Sequence, residues 1–230
     1  MPAQIKILSA GAVKPGLTKV IDAFRRDNAS DVKVTFATAP AILEQVNGCE
    51  AVDIVVAPQN VLDQLAKTEK IPAAGRVTLG RIGVGVLVRQ DASLPRIADV
   101  NAFRDSLLSA ESIVYNQAST GIYLETLFDR LGIEAEVRAK STRYPDFAAV
   151  LDHLSKGKDR EIGLGATTVI IENEKVGVKF AGPLPEEIQN YTAYAAAVTG
   201  GSEARELAQQ FIRYLSSPAA RSLLSGAGIQ

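Results

Sequence analysis

Tryptophan is absent from this 230-residue chain, and cysteine, histidine and methionine occur once each. A lone cysteine, Cys49, excludes an internal disulfide and any multi-cysteine metal site; it reads as a small loop-end residue before Glu50. A lone histidine, His153, excludes every two-histidine zinc arrangement. No apolar run approaches the roughly 18 residues of a membrane-crossing helix, so no membrane insertion is expected. No basic leader followed by an apolar stretch opens the chain, which starts Met-Pro-Ala-Gln-Ile-Lys-Ile-Leu-Ser, straight into a strand. The expectation is a cytoplasmic protein as written, or a periplasmic one if a leader was removed. An excess of either charge is also missing. Lys and Arg number 25 against 26 Asp and Glu, which argues against nucleic acid or an anionic membrane surface as the main partner. There is no phosphate-loop motif, no Gly-x-Gly-x-x-Gly fingerprint (Gly163-Leu164-Gly165 is too short) and no serine-nucleophile elbow, so no cofactor is expected.

What is present is material for a packed α/β protein. Apolar residues are 47% of the chain and charged ones 22%, with no low-complexity tract, so a core can form and disorder is not expected. Short β-branched strands alternate with segments of helical spacing. Ile5–Ser9, Val32–Ala37 and Ala51–Ala57 read as strands, with helices over Lys14–Arg26, Pro40–Asn47 and Val61–Thr68. Ala51–Ala57 is almost continuously apolar, as a parallel strand covered on both faces reads. Arg81–Arg89 reads as a long strand whose internal glycines mark a bend or a close approach. The pattern then restarts. Strands are expected at Ser112–Tyr115, Val137–Lys140, Glu161–Ala166 and Tyr191–Val198. Helices are expected at Val100–Ser109 with Asp99 as N-cap, Ile122–Leu131, Phe147–Lys156, Ala204–Leu215 and Ala219–Leu224.

Two βα sets joined by one long strand going out and another coming back predict two α/β lobes, each a mainly parallel sheet flanked by helices. Lobe I would hold residues 1–80 and 195–230, lobe II residues 81–194, with a ligand cleft between them. In such sheets ligands bind beyond the carboxyl ends of strands, where helix N-termini offer free N–H groups and partial positive charge. Four loops qualify. Ser9-Ala10-Gly11-Ala12 has small side chains that leave its amides open. Thr38 and Ala39 open a helix, with the Thr38 hydroxyl either capping it or donating to a ligand. Asn116–Gly121 brings Ser119, Thr120 and Gly121, whose hydroxyls could cap a helix and still reach an anion. Ser141–Asp146 brings Arg143, a fork for a carboxylate, and Tyr144, with Asp146 as the next N-cap. The loops point to a small anionic ligand. His153, about two turns inside its helix, reads as a structural or surface residue.

The same stretches carry a family resemblance. Ile5–Leu17, Val34–Val46 with Asp53–Pro58, Ser119-Thr120-Gly121-Ile122-Tyr123 and Glu161–Ala166 resemble the molybdate-binding proteins of ABC importers, including their aconitate-isomerase-like members. The resemblance implies the type II periplasmic-binding-protein fold, a bound oxyanion or polycarboxylate and, if the chain is exported, ABC-importer membrane subunits as partners. It also implies a serine where Ala12 stands, another near Ala39 and a tyrosine near Ala166. All three hydroxyls are replaced here, which suits a polycarboxylate better than molybdate. The alternative that the resemblance implies is a cofactor-free isomerase shifting a proton across an unsaturated tricarboxylate. Tyr115, Tyr144 and Glu125 are then the candidate acids or bases.

Overall fold

Residues 4–230 are described in a computed structural model of the chain. Met1–Ala3, read above as running into the first strand, lie outside the described residues. The first set of elements is β1 (Gln4–Ala10), α1 (Lys14–Asn28), β2 (Asp31–Ala37), α2 (Ala39–Asn47), β3 (Ile54–Pro58) and α3 (Gln59–Lys67). The long strand β4 (Val77–Arg89) leads to α4 (Val100–Ser109), β5 (Ser112–Asn116), α5 (Ser119–Arg130), α6 (Glu134–Arg138), β6 (Ser141–Tyr144), α7 (Phe147–Lys156), β7 (Glu161–Ala166), α8 (Thr167–Glu172) and β8 (Val178–Pro183). The chain closes with β9 (Tyr191–Val198), α9 (Arg205–Leu215) and α10 (Pro218–Ser225). These elements divide into two compact units. One runs up to Ile82 and resumes at Thr192–Gln230; the other is Gly83–Tyr191.

In the first unit β1 lies between β2 and β3, parallel to both, and β9 pairs antiparallel with β3. All five residues of β3 are buried, as its unbroken apolar run requires. Helix α1 buries Leu17, Val20, Ile21 and Phe24 at the expected spacing. Phe24 meets Phe211 of α9 edge to face at 5.0 Å and Tyr214 at 5.3 Å. Burying one such ring is worth about 1.5–3 kcal/mol. Asp53, buried just before β3, accepts from Lys6 N at 2.8 Å and Ser202 Oγ at 2.7 Å. Burial pushes its pKa up, but those bonds and Ala204 N hold it below the ordinary carboxylate value. The chain end docks here too. Arg81 and Gln230 exchange backbone bonds of 2.7 and 3.0 Å, and Ile229 is buried.

In the second unit β5 lies between β6 and β7, parallel to both, while β4 pairs antiparallel with β7 and β8. One face of the sheet carries Phe103, Leu107, Tyr115, Leu124, Leu127 and Phe128. Val114, Val150, Leu154 and Ile170 form a separate cluster with Leu87 and Val178. The internal glycines of β4 do mark close approaches: a methyl on Gly85 would run into the Phe180 ring. Val137–Lys140 is not a strand. Glu134–Arg138 is a helical turn, with two glutamates at its positive end, an Arg138–Glu134 pair one turn apart, and Val137 buried. The strand comes later, as β6, and takes Arg143 and Tyr144 out of the expected loop.

Candidate functional site

The sites expected from sequence sit where strands hand over to helices. Ser9 and Ala10 end β1 rather than forming a loop, and both are buried. The Ser9 hydroxyl donates to Ala10 O at 3.2 Å, so it is turned to the backbone. Ala10 is extended and opens a short 3-10 turn, Gly11–Val13, that runs into α1; Gly11 and Ala12 are half-buried there. A methyl on Gly11 would meet nothing within 4 Å, so space lies open beside its backbone. At the next junction Thr38 is the N-cap of α2 with φ −77° and ψ 159°, but its hydroxyl makes no capping bond. Ala39 beside it is buried.

In the second unit Ala118, not Ser119 or Thr120, is the N-cap of α5, and there is no side-chain capping bond. Ser119 is half-buried and Thr120 buried within the first turn. Gly121 packs against the strand it follows. A methyl there would overlap the carbonyl oxygen of Asn116, so this turn tolerates no Cβ. Ala166 ends β7 as the N-cap of α8, again with no capping side chain. The helices that follow β1, β2, β3, β5 and β7 thus begin without a side-chain cap and without an acidic residue in the first turn. The contrast lies in α4, α7 and α10. Asp99, Asp146 and Ser217 accept there from Ala102 N, Ala149 N and Ala220 N at 2.8, 2.9 and 3.1 Å. The junction after β6 is therefore closed by a carboxylate, which repels an anion.

The side chains expected at that fourth junction serve elsewhere. Arg143 lies in β6 opposite Tyr115 of β5. Its guanidinium is 2.7 Å from Glu125 Oε1 and 6.0 Å above the Tyr115 ring. Three residues picked from sequence therefore line one pocket of about 330 Å³, together with Arg138, Ser141 and Phe128. Burial, with Glu125 close by, pushes the Tyr115 hydroxyl above its usual pKa despite Arg143. The Tyr144 hydroxyl lies 2.7 Å from His153 Nδ1, and His153 Nε2 lies 3.3 Å from Glu161 Oε1. Glu161 is buried and accepts from Lys158 N at 2.8 Å and Ser112 Oγ at 2.9 Å. Burial raises its pKa, yet those bonds and His153 bring it below the ordinary value. His153 is thus structural in placement but joins Tyr144 to a buried carboxylate. Sequence reasoning missed Glu161 because it opens a strand behind Lys158-Asp159-Arg160 and reads as surface. Among the described residues no group of three or more His, Cys, Asp or Glu could hold a metal ion. No helix among them is long and apolar enough to cross a membrane.

With this geometry in view, comparison with known proteins is informative. Residues 5–230 match the family model of the bacterial extracellular solute-binding proteins. An aconitate isomerase from a Pseudomonas species is 28% identical over 236 residues, covering 98% of this chain and 87% of the relative. Among solved structures, the periplasmic molybdate-binding protein of Azotobacter vinelandii superposes with a TM-score of 0.81 at 15% identity, covering 98% of both chains. The tungstate ABC transporter structure from Geobacter sulfurreducens gives 0.76 at 12% identity, over 97% of this chain and 98% of the other. At these identities the structures speak for the fold, which is the type II periplasmic-binding-protein fold. The resemblance to the molybdate-binding proteins and their aconitate-isomerase-like members is borne out at the level of the family and the fold.

Proposed function

The chain belongs to the bacterial extracellular solute-binding proteins, and we propose that its solute is a small anion, an oxyanion or polycarboxylate, bound at strand-end helix starts. The observation that carries this reading is the set of uncapped, acid-free helix starts at Ala10–Ala12, Thr38–Ala39, Ala118–Gly121 and Ala166. Each backbone N–H donated to a charged oxygen contributes about 1.5–3 kcal/mol, so three or four together supply roughly 5–12 kcal/mol against the cost of association. Relatives of the same fold are a molybdate-binding protein and a tungstate transporter component. Alanines at positions 12, 39 and 166 offer no hydroxyls to a tetrahedral oxyanion, which favours a carboxylate-bearing guest over molybdate. If the chain is exported, ABC-importer membrane subunits are the partners that such a protein serves.

A second reading is favoured by the aconitate isomerase that matches along 98% of this chain. In it the anion is an unsaturated tricarboxylate. A C–H bond breaks at a methylene and another forms at the far end of the allylic system, so the molecule is rearranged with nothing added or removed. Of the candidate groups, Tyr144 alone has its hydroxyl against a histidine ring, 2.7 Å from His153 Nδ1. Tyr115 is kept protonated by burial, and Glu125 is held by Arg143.

Thermal unfolding with molybdate, tungstate, sulfate, citrate and cis- and trans-aconitate tests both readings. An anion at 100 times its dissociation constant stabilises the protein by about 2.7 kcal/mol. The expected result is a raised melting temperature with at least one of these anions. The isomerase reading adds an absorbance change on mixing protein with trans-aconitate, lost in Tyr144→Phe. If none of the six shifts the melting temperature, anion binding is wrong.

A further inference from the structure

The chain passes from one unit to the other between Ile82 and Gly83 and returns between Tyr191 and Thr192. Within the second unit the Gln189 side chain ties these two passages together. Its Oε1 accepts from Val84 N at 2.8 Å and from Asn190 N at 2.9 Å. Its Nε2 donates to Val84 O at 3.0 Å and reaches Leu184 O at 3.5 Å. The amide thereby bonds both the N–H and the carbonyl of Val84, and that carbonyl also accepts from Leu184 N at 3.2 Å. The fit is close: a methyl on Gly83 would stand 3.2 Å from the Tyr191 ring and 3.3 Å from the Gln189 amide carbon.

The adjoining residue carries the network into the second unit's open helix start. The Ile188 carbonyl accepts from the Tyr123 hydroxyl at 2.5 Å. Tyr123 lies in α5, one turn beyond Ser119 and two residues after Gly121, which admits no Cβ. A continuous path therefore runs from the uncapped first turn of α5 through Tyr123, Ile188 and Gln189 to Val84. Its two ends are the amides offered to an anion and the strand on which the chain changes units. Helix α5 moves as a rigid element, so a pull on its first N–H groups is felt at Tyr123.

We propose that Tyr123 and Gln189 are positioning residues that couple anion occupancy at the first turn of α5 to the two segments by which the chain passes between its units. This rests on the anion-binding reading. An anion drawing on the α5 amides sets the height of the Tyr123 hydroxyl, and Tyr123 sets Ile188 and Gln189. Without either side chain the α5 amides and the passages move independently, and capture of the anion weakens although neither residue touches it.

The test pairs affinity with a local readout. Binding of trans-aconitate and of molybdate is measured by calorimetry in the wild type, Tyr123→Phe, Gln189→Ala and Gln189→Glu. Hydrogen exchange of the Val84 amide is followed with and without each probe. Asp99→Ala, which removes the α4 cap, is the stability control. Coupling of ordinary size lowers affinity roughly 5–20-fold in Tyr123→Phe and Gln189→Ala, and the probe ceases to slow Val84 exchange. Gln189→Glu, which keeps the acceptor for Val84 N, recovers part of the affinity. Asp99→Ala lowers the melting temperature and leaves affinity within about twofold of the wild type. Variants that bind like the wild type, or that lose no more affinity than Asp99→Ala, overturn the coupling. If the wild type binds neither probe, the coupling falls with the anion-binding reading, a failure visible before any variant is made.

Discussion

Gly121 shows how one missing methyl fixes the site. Its backbone lies against the Asn116 carbonyl, which brings the first turn of α5 directly onto the end of β5. Gly121→Ala must push the helix start away, and overpacking of this kind costs about 1–3 kcal/mol. Urea titration is expected to show that loss, and anion affinity is expected to fall with it because the displaced groups are the donors proposed above. Asp53 gives the pH counterpart. Its pKa lies below the ordinary value in the folded chain, so its contribution is complete above the unfolded value, about 3.9, and fades as pH falls through the folded one. Glu161 behaves alike. Stability is therefore expected to drop as the medium is acidified below about pH 4, and guanidinium titrations at neutral and acid pH should show a smaller drop in Asp53→Asn.

At the scale of the element, the difference between capped and open helices divides stability from binding. Asp99→Ala removes a bond to Ala102 N and is expected to cost about 1 kcal/mol in thermal or urea unfolding. Thr38→Ala removes a hydroxyl that caps nothing, so stability should stay within about 0.5 kcal/mol of the wild type. Any effect of Thr38→Ala belongs to anion affinity, which calorimetry reads separately. These junctions were legible in the sequence because small residues follow short apolar runs and precede helical spacing, as at Ser9–Ala12 and Asn116–Gly121, although Ser9 and Ala10 belong to the end of β1. The turn at Glu134–Arg138 was not, since a single helical turn is too short for its period to register against a β-branched Val137. Nor was the chain Tyr144–His153–Glu161, whose members come from β6, α7 and β7, so that only the folded sheet brings them together. Arg143 was read at a helix mouth because Pro145-Asp146 announces a helix; its place in β6 depends on pairing with β5, which no local pattern encodes.

At the scale of the molecule the two units differ in continuity. Gly83–Tyr191 is one uninterrupted stretch, whereas the other unit needs β9 against β3 and α9 against α1, from opposite ends of the sequence. Closing that longer loop is the slower event by contact order. Pulsed hydrogen exchange during refolding of the whole chain is expected to protect amides of β5 and β7 before those of β3; simultaneous protection would contradict it. Chain end and strand are also stitched together at Arg81 and Gln230, so removing Ile229 and Gln230 should lower the melting temperature.

That discontinuity has a vectorial consequence. A ribosome, delivering the polypeptide from its amino terminus, completes the inserted half while the outer half still lacks its final strand and two helices. During that interval the flank of β3 and the aromatic surface of Phe24 stand uncovered. Synthesis therefore leaves the partners of β3 and Phe24 among the later segments to emerge.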